Sequence, residues 1–389
     1  MIIPRPTQLS RIMNALEHNP IVAIIGARQV GKTTITFDIE KQFHGQTHRF
    51  DLEDPEDLAR LEEAKLVLQN LQGLVIIDEI QRKPELFPLL RVLVDRREQR
   101  SKFLILGSAS PKLLKQSSES LAGRISYQTL SGFTLDEVTQ DNVARLWIRG
   151  GFPRSYLAGS EAASLAWRKS FIRTFLERDI PQMGFSIPAI TLSRFWNMLA
   201  HYHAQIWNGS ELARAFGLSQ PSVKRYVDLL TDALVVWQLK PWHQNISKRQ
   251  VKAPKVYIKD SGILHALLGI NNMIDLEKHP KIGASWEGFV LGEVLHLLNI
   301  EPGEAYFWAT HAGAELDLLV FINGKPVGFE IKRTVAPKIT TSMRISIEDL
   351  NLEMLYVIHA GEHEFQMHEK IIAIPLPKLE DHLTHRLRS

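Results

Sequence analysis

Gly26-Ala27-Arg28-Gln29-Val30-Gly31-Lys32-Thr33 decides how this chain is read. It spells G-x-x-x-x-G-K-S/T in full, between an apolar run, Ile21-Val22-Ala23-Ile24-Ile25, and Thr34-Ile35-Thr36-Phe37-Asp38-Ile39. The first flank reads as a buried parallel strand and the second as a helix. Strand, glycine loop and helix in that order form a phosphate cradle, with backbone N–H groups and the positive end of the helix facing the anion. The two glycines let the backbone fold tightly around phosphates. Gly26, Ala27, Arg28, Gln29, Val30, Gly31, Lys32, Thr33 and Thr34 are the expected nucleotide contacts. Lys32 brings a mobile charge to the β- and γ-phosphates, and the Thr33 hydroxyl holds Mg²⁺.

Leu74-Val75-Ile76-Ile77-Asp78-Glu79 supplies the other half of such a site. This second apolar strand ends in two acids, as a metal-binding Asp78 and a water-activating Glu79 require. A glycine loop alone is a short motif open to chance. Together with the acid-tipped strand it points to ATP and Mg²⁺, with Lys32 and Glu79 catalytic and Thr33 and Asp78 on the metal.

The chain has 389 residues, enough for two or three domains, and its 44% hydrophobic and 23% charged content is that of a globular protein. A formal net charge of +3 is too small to identify a nucleic-acid partner. With no cysteine, thiol catalysis, disulfides and cysteine-bound metals are excluded. The N-terminus lacks a signal-peptide pattern, and no apolar run approaches the ~18 residues that span a bilayer. A cytoplasmic protein without a membrane partner is expected.

Residues 1–140 read as α/β, with strands at 21–26, 48–53, 74–79, 103–108 and 126–131 and helical patterns between them. That alternation implies a parallel sheet with helices on both faces. Ser108 ends the fourth strand, where a polar side chain sits beside bound phosphates. Arg124, in Leu121-Ala122-Gly123-Arg124, offers a γ-phosphate contact or a finger into a neighbouring subunit of a homo-oligomer; a surface salt bridge is the commoner fate of such a residue. Residues 141–195 form a helical linker or lid whose aromatic stripe (Trp147, Phe152, Trp167, Phe171, Phe175, then Trp196) reads as packing. Arg173, Glu177, Arg178 and Asp179 read as solvated helix charges.

Residues 196–275 change pattern. Ser210 to Phe216, a Gly217-Leu218-Ser219 turn and Gln220 to Leu230 make a helix-turn-helix, with Ser210 at the first N-cap and Leu212, Leu218, Val223, Val227 and Leu230 buried. The stretch 240–259 then carries six basic residues, Lys240, Lys248, Arg249, Lys252, Lys255 and Lys259, and no acid. A winged helix whose wing meets DNA phosphates fits this charge; a purely architectural winged helix fits it too.

In residues 276–389, Glu315 to Ile322 alternates as a strand, Asn323-Gly324 signals a two-residue turn, and Lys325 to Lys332 returns. That turn places Asp317 across from Glu330 and Glu315 across from Lys332, all on one face. Facing like charges are destabilising unless something lies between them. A Mg²⁺ or Mn²⁺ ion held by Asp317 and Glu330 answers that need, with Lys332 polarising a water or phosphate oxygen; an exposed polar face balanced by Lys332 is the simpler alternative. The helix Ser285 to Glu293 brings Glu287 to the same place.

These motifs resemble the bacterial and archaeal AAA-type ATPases that join an N-terminal P-loop domain to a C-terminal domain of unknown function, containing a winged helix and a fold related to the PD-(D/E)xK nucleases. The marks are the Gly26–Thr34 loop, Leu74–Glu79 with Ile80-Gln81-Arg82, Leu106-Gly107-Ser108-Ala109-Ser110, Leu121–Arg124, Gly150-Gly151-Phe152-Pro153, Asp260-Ser261-Gly262, Trp286-Glu287-Gly288-Phe289-Val290, and Glu315–Asp317 with Glu330-x-Lys332. The resemblance implies the ATPase roles given above. It also makes Asp317, Glu330 and Lys332 a nuclease-like catalytic set, with Glu287 as its helix acid. The expected function is ATP hydrolysis controlling a DNA-binding, nuclease-like tail. The alternatives are an ATP-dependent switch whose tail is a catalytically inactive interaction module, and a DNA-binding regulator with slow hydrolysis.

Overall fold

Every residue from Ile21 to Gly26 is buried, as a strand inside a parallel sheet must be when helices cover both faces. The computed structural model describes residues 3–96, 101–108, 117, 119–243 and 250–387. The chain divides into two compact units, Met1–Phe133 with Asp232–Leu234, and Thr134–Thr231 with Val235–Ser389.

In the first unit β1 (Ile21–Gly26), β2 (Thr47–Asp51), β3 (Gly73–Asp78), β4 (Ser101–Ser108) and β5 (Ile125–Thr129) form a five-stranded parallel sheet in the order β2-β3-β4-β1-β5. All five expected strands are present. Because β2 lies beyond β4 and β3 from β1, the chain order reverses there and opens a crevice at the carboxyl end of β1. One face packs Ala23, Val75, Ile77 and Ile105 against Phe87 and Leu90 of the helix Leu86–Val94. The segment after β5 presses on the loop after β1: a Cβ on Gly26 would lie 2.4 Å from the Leu130 carbonyl oxygen. Arg5, just before the helix Pro6–His18, is buried and donates to the carbonyls of Val30 (3.3 Å), Ser131 (3.1 Å) and Gly132 (3.0 Å).

In the second unit a nine-stranded sheet has the order β13-β14-β12-β11-β10-β9-β7-β8-β6. Its strands are β6 (Gln205–Ile206), β7 (Val236–Pro241), β8 (Lys255–Ile258), β9 (Tyr306–Ala309), β10 (Glu315–Ile322), β11 (Lys325–Lys332), β12 (Met354–His359), β13 (Phe365–His368) and β14 (Ile371–Pro375). The helix-turn-helix is formed by Gly209–Phe216 and Gln220–Asp232 around Gly217, whose φ of 63° suits glycine. Leu212, Val223, Val227 and Leu230 are buried and Leu218 half-buried. Asn208, not Ser210, caps the first helix, accepting from the Glu211 N–H at 3.3 Å; the Ser210 hydroxyl instead accepts from Gln220 at 2.7 Å. The strands after the helix-turn-helix do not form a sheet of their own. β7 pairs in parallel with β9 through Lys240–Tyr306 and Pro241–Phe307, so β6, β7 and β8 share one sheet with the strands beyond residue 275.

The aromatic stripe is packing: Phe152, Trp167, Phe171, Phe175 and Trp196 touch in succession. Arg173 and Glu177 pair on the surface, whereas Asp179 is buried, because the chain turns inward through one turn of π-helix at Phe175–Asp179. Two glycine motifs far apart in sequence interlock here. The Asp260 carboxylate caps the helix Ser261–Leu267 through the Ile263 N–H (2.8 Å) and takes the Gly151 N–H (2.8 Å). A Cβ on Gly150 would lie 2.1 Å from Asp260 Oδ1, and one on Gly262 would lie 2.1 Å from the Arg149 carbonyl. Buried Arg168 donates to the Gly262 carbonyl at 3.0 Å. Asp260→Ala removes the cap, strands the Gly151 N–H and takes a counter-charge from near Arg168. It is expected to cost the second unit about 2–4 kcal/mol in urea unfolding, and a loss under about 0.5 kcal/mol would contradict this role.

Candidate functional site

The loop after β1 is shaped as a phosphate cradle. Gln29 (φ 65°) and Gly31 (φ 97°) adopt left-handed backbone, and Gly31 leads into the helix Lys32–Gln42 without a side-chain cap, leaving its first N–H groups for an anion. Lys32 is 6% exposed and its ammonium donates to the loop carbonyls of Gly26 (3.0 Å) and Ala27 (2.9 Å). The Thr33 hydroxyl donates to Asp78 Oδ2 at 2.7 Å, bringing together the two expected Mg²⁺ oxygens, one from the helix Lys32–Gln42 and one from the end of β3. The donor set fits a hard cation: a hydroxyl and a buried carboxylate at the foot of an anion cradle.

Glu79 follows directly, in left-handed backbone (φ 53°) fixed by its own N–H donating to Asp78 Oδ1 at 2.9 Å. The Gln81 amide donates to the Glu79 carboxylate. Burial pushes the Glu79 carboxyl above the usual carboxylate range, against the pull of Lys32 and Arg28. Arg28 reaches out to Glu53 at 3.3 Å. Thr34 is exposed on the first turn of the helix. Ser108 pairs with Gly26 at the strand ends, beside the loop, while its side chain, with Ala109 and Ser110, lies outside the described residues.

Arg124 is elsewhere. It precedes Ile125, which pairs with Ile21 at the start of β1, so it stands at the amino end of the strands. The loop begins five residues further along, about 16 Å at strand rise. Arg124 makes a two-pronged salt bridge to Asp95 (2.6 and 2.9 Å). A γ-phosphate contact within the same chain therefore does not fit.

The second constellation is in the C-terminal unit. The hairpin register is as expected from Ile322–Lys325 to Leu318–Phe329. Beyond that a register shift in β10 against β9, between Leu316 and Leu319, re-aims Asp317, whose Oδ2 accepts the Ile331 N–H at 2.8 Å. Glu330 is 4% exposed; its Oε1 meets Lys332 at 2.6 Å and its Oε2 has no hydrogen-bond partner among the described residues. Glu287 arrives from the helix Ile282–Leu298, where Gly288 leaves room for His203 in the turn before β6: a Cβ there would lie 2.3 Å from His203 Nε2.

What the sequence reading assigned to the wing, Lys255, is found among these acids. It is 3% exposed, and its ammonium meets Glu287 at 3.2 Å, Asp317 at 3.7 Å and Glu315. The Tyr257 hydroxyl donates to Glu287 at 2.7 Å. Burial works against the Lys255 charge, but Tyr257, Glu287, Asp317 and Glu315 outweigh it and hold the group well above the usual lysine range. Of the other wing cations, Lys240, Lys252 and Lys259 are exposed, while Lys248 and Arg249 lie outside the described residues. Lys255 was missed because a lysine in a basic stretch reads as solvated until its strand's partners are known.

Burial, reinforced by Asp317, pushes the Glu330 carboxyl to about 8, and burial pushes Glu287 to about 7. Glu293, which accepts the Leu135 N–H at 2.9 Å, is raised by burial to about 7. The folded unit thus keeps protons that the unfolded chain has released. Stability from these groups is full below the unfolded carboxylate pKa and is lost as pH rises through about 7 to 8. Glu330→Gln should flatten the slope of unfolding free energy between about pH 5 and 8 by up to about 1.4 kcal/mol per pH unit, read from urea melts. An unchanged slope would contradict a protonated Glu330.

The sequence pattern of an AAA domain matches residues 18–139, and two domains of unknown function, DUF8612 and DUF4143, match 140–273 and 282–379. The chain is 50% identical over 379 residues to uncharacterised proteins of Mycobacterium tuberculosis and Mycobacterium bovis, covering 97% of this chain and 85% of each relative. Among solved structures it is similar to a Walker-type ATPase of Pyrococcus abyssi, with a TM-score of 0.50 and 15% identity, covering 68% of this chain and 96% of that one; at this identity the likeness concerns the fold. Among the described residues no helix is long and apolar enough to cross a membrane. The N-terminal unit has the P-loop NTPase fold, and the chain belongs to the family of these mycobacterial proteins, an AAA domain followed by two domains of unknown function.

Proposed function

We propose that the chain is a Mg²⁺-dependent ATPase whose nucleotide state acts on its C-terminal unit, and that this unit is an interaction module. The 2.7 Å contact of Thr33 with Asp78, directly beside Glu79, is the observation that carries the ATPase reading. The Thr33 hydroxyl and the Asp78 carboxylate would hold Mg²⁺, which would supply positive charge to offset that of the phosphates. The loop N–H groups bind the phosphates, and Lys32 exchanges the Gly26 and Ala27 carbonyls for phosphate oxygens. Glu79, once released by Gln81, orients the attacking water and holds its proton.

Arg5 supports the coupling. It joins the Val30 carbonyl of the loop to Ser131 and Gly132, the last turn of chain before the second unit begins at Thr134. A loop that reshapes around phosphate changes what Arg5 can hold. An arginine at the far end of the sheet reaches nucleotide only across a subunit boundary, so Arg124 in a finger role implies a homo-oligomer. For the output, the exposed Lys240, Lys252 and Lys259 and the helix-turn-helix residues Ser219, Gln220, Lys224 and Arg225 favour DNA as the partner.

A nuclease output is the second reading. The element order of the tail, helix Ile282–Leu298, β9, β10, β11, helix Thr341–Asp349 and β12, supports kinship with the nuclease fold. The unpartnered Glu330 oxygen favours it too. Against it stands Lys255, whose ammonium pairs with Glu287, Glu315 and Asp317.

ATP turnover tests the proposal. Lys32→Ala and Glu79→Gln should each lower it at least about 100-fold, Glu79→Gln while still binding ATP and Lys32→Ala with binding weakened. Unchanged turnover in Lys32→Ala would remove the ATPase reading.

A further inference from the structure

The nuclease-like pattern calls for a divalent cation among Glu287, Asp317 and Glu330, and the geometry around these acids does not fit one. We infer that Lys255 is the resident cation of the cluster, an internal ammonium standing where that pattern would place a metal ion. Its three N–H donors face three carboxylates, Glu287 from the helix Ile282–Leu298 and Glu315 and Asp317 from β10. Much of the remaining oxygen capacity is taken: Glu287 Oε1 also accepts the Tyr257 hydroxyl, Asp317 Oδ2 the Ile331 N–H and Glu330 Oε1 the Lys332 ammonium, which leaves Glu330 Oε2 as the buried oxygen of the cluster without a hydrogen-bond partner among the described residues. A hard ion needs six or so oxygens in one shell. Among the described residues no three His, Asp or Glu side chains are arranged to hold a metal.

The placement follows from the shared sheet. β8 reaches the tail only because β7 pairs with β9, so the winged helix delivers the cation and the tail delivers the acids. Lys255 is in this way a positioning residue that ties β8 to the helix Ile282–Leu298 and to β10. A divalent ion gains the cluster only by displacing a buried ammonium, which sets this site apart from an open nuclease centre. The inference concerns the C-terminal unit alone and stands or falls independently of ATP turnover.

Mn²⁺ titration of the nucleotide-free full chain, followed by electron paramagnetic resonance, tests it, with Thr33→Ala present throughout to silence the loop's ion site. The expected result is no saturable Mn²⁺ site up to about 1 mM. Adding Lys255→Met should create one, at least about tenfold tighter than the parent's residual binding and lost again on adding Asp317→Asn. A saturable site in the parent that Asp317→Asn abolishes would overturn the inference, and this arm decides even where Lys255→Met does not fold. A folded Lys255→Met chain that gains no Mn²⁺ site would overturn it as well.

Discussion

One hydrogen bond, from the Thr33 hydroxyl to the Asp78 carboxylate, joins the two halves of the candidate site in the first unit. These residues follow strands that are not neighbours, since β4 lies between β1 and β3. Only the parallel arrangement, with every strand ending at the same edge, brings a loop hydroxyl and a strand-end acid within reach. The constraint runs back to the sequence. Uninterrupted apolar runs bury both faces, leaving the carboxyl ends as the place where polar groups meet solvent. Lys32, Thr33, Asp78 and Glu79 gather there, and Gly26 must lack a side chain because Leu130 passes so close.

The second unit answers a different problem with charge. Four acids and two lysines meet where β8, β10, β11 and the helix Ile282–Leu298 come together, and there unpaired charge is costly. Pairing Lys255 with acids from the helix Ile282–Leu298 and from β10 reduces that cost, and burial pushes the Glu330 carboxyl toward its neutral form. The junction is therefore specified by partners that only this packing supplies. The interlocked Gly150-Gly151 and Asp260-Ser261-Gly262 segments serve the same end with backbone contacts.

Much of this was legible in the sequence wherever the physics is local. Strand, loop and helix around Gly26, the acid-tipped β3 and the hairpin register about Asn323-Gly324 each follow from neighbouring residues. Legibility fails where position depends on distant chain. Arg124 falls at the wrong end of its strand because pairing register, not motif order, sets its height against β1. The irregularity in β10 turns Asp317 toward Ile331, which alternation alone cannot foresee. Lys255 belongs to a basic stretch in sequence and to an acidic cluster in space.

In the proposed coupling, nucleotide state at the loop acts on the C-terminal unit. Hydrogen–deuterium exchange on the full Glu79→Gln chain, with and without ATP and Mg²⁺, tests it most directly. The account predicts altered protection in the loop, in residues 130–138 and in the sheet of the second unit. Changes confined to residues 26–34 and 78–82 would contradict it.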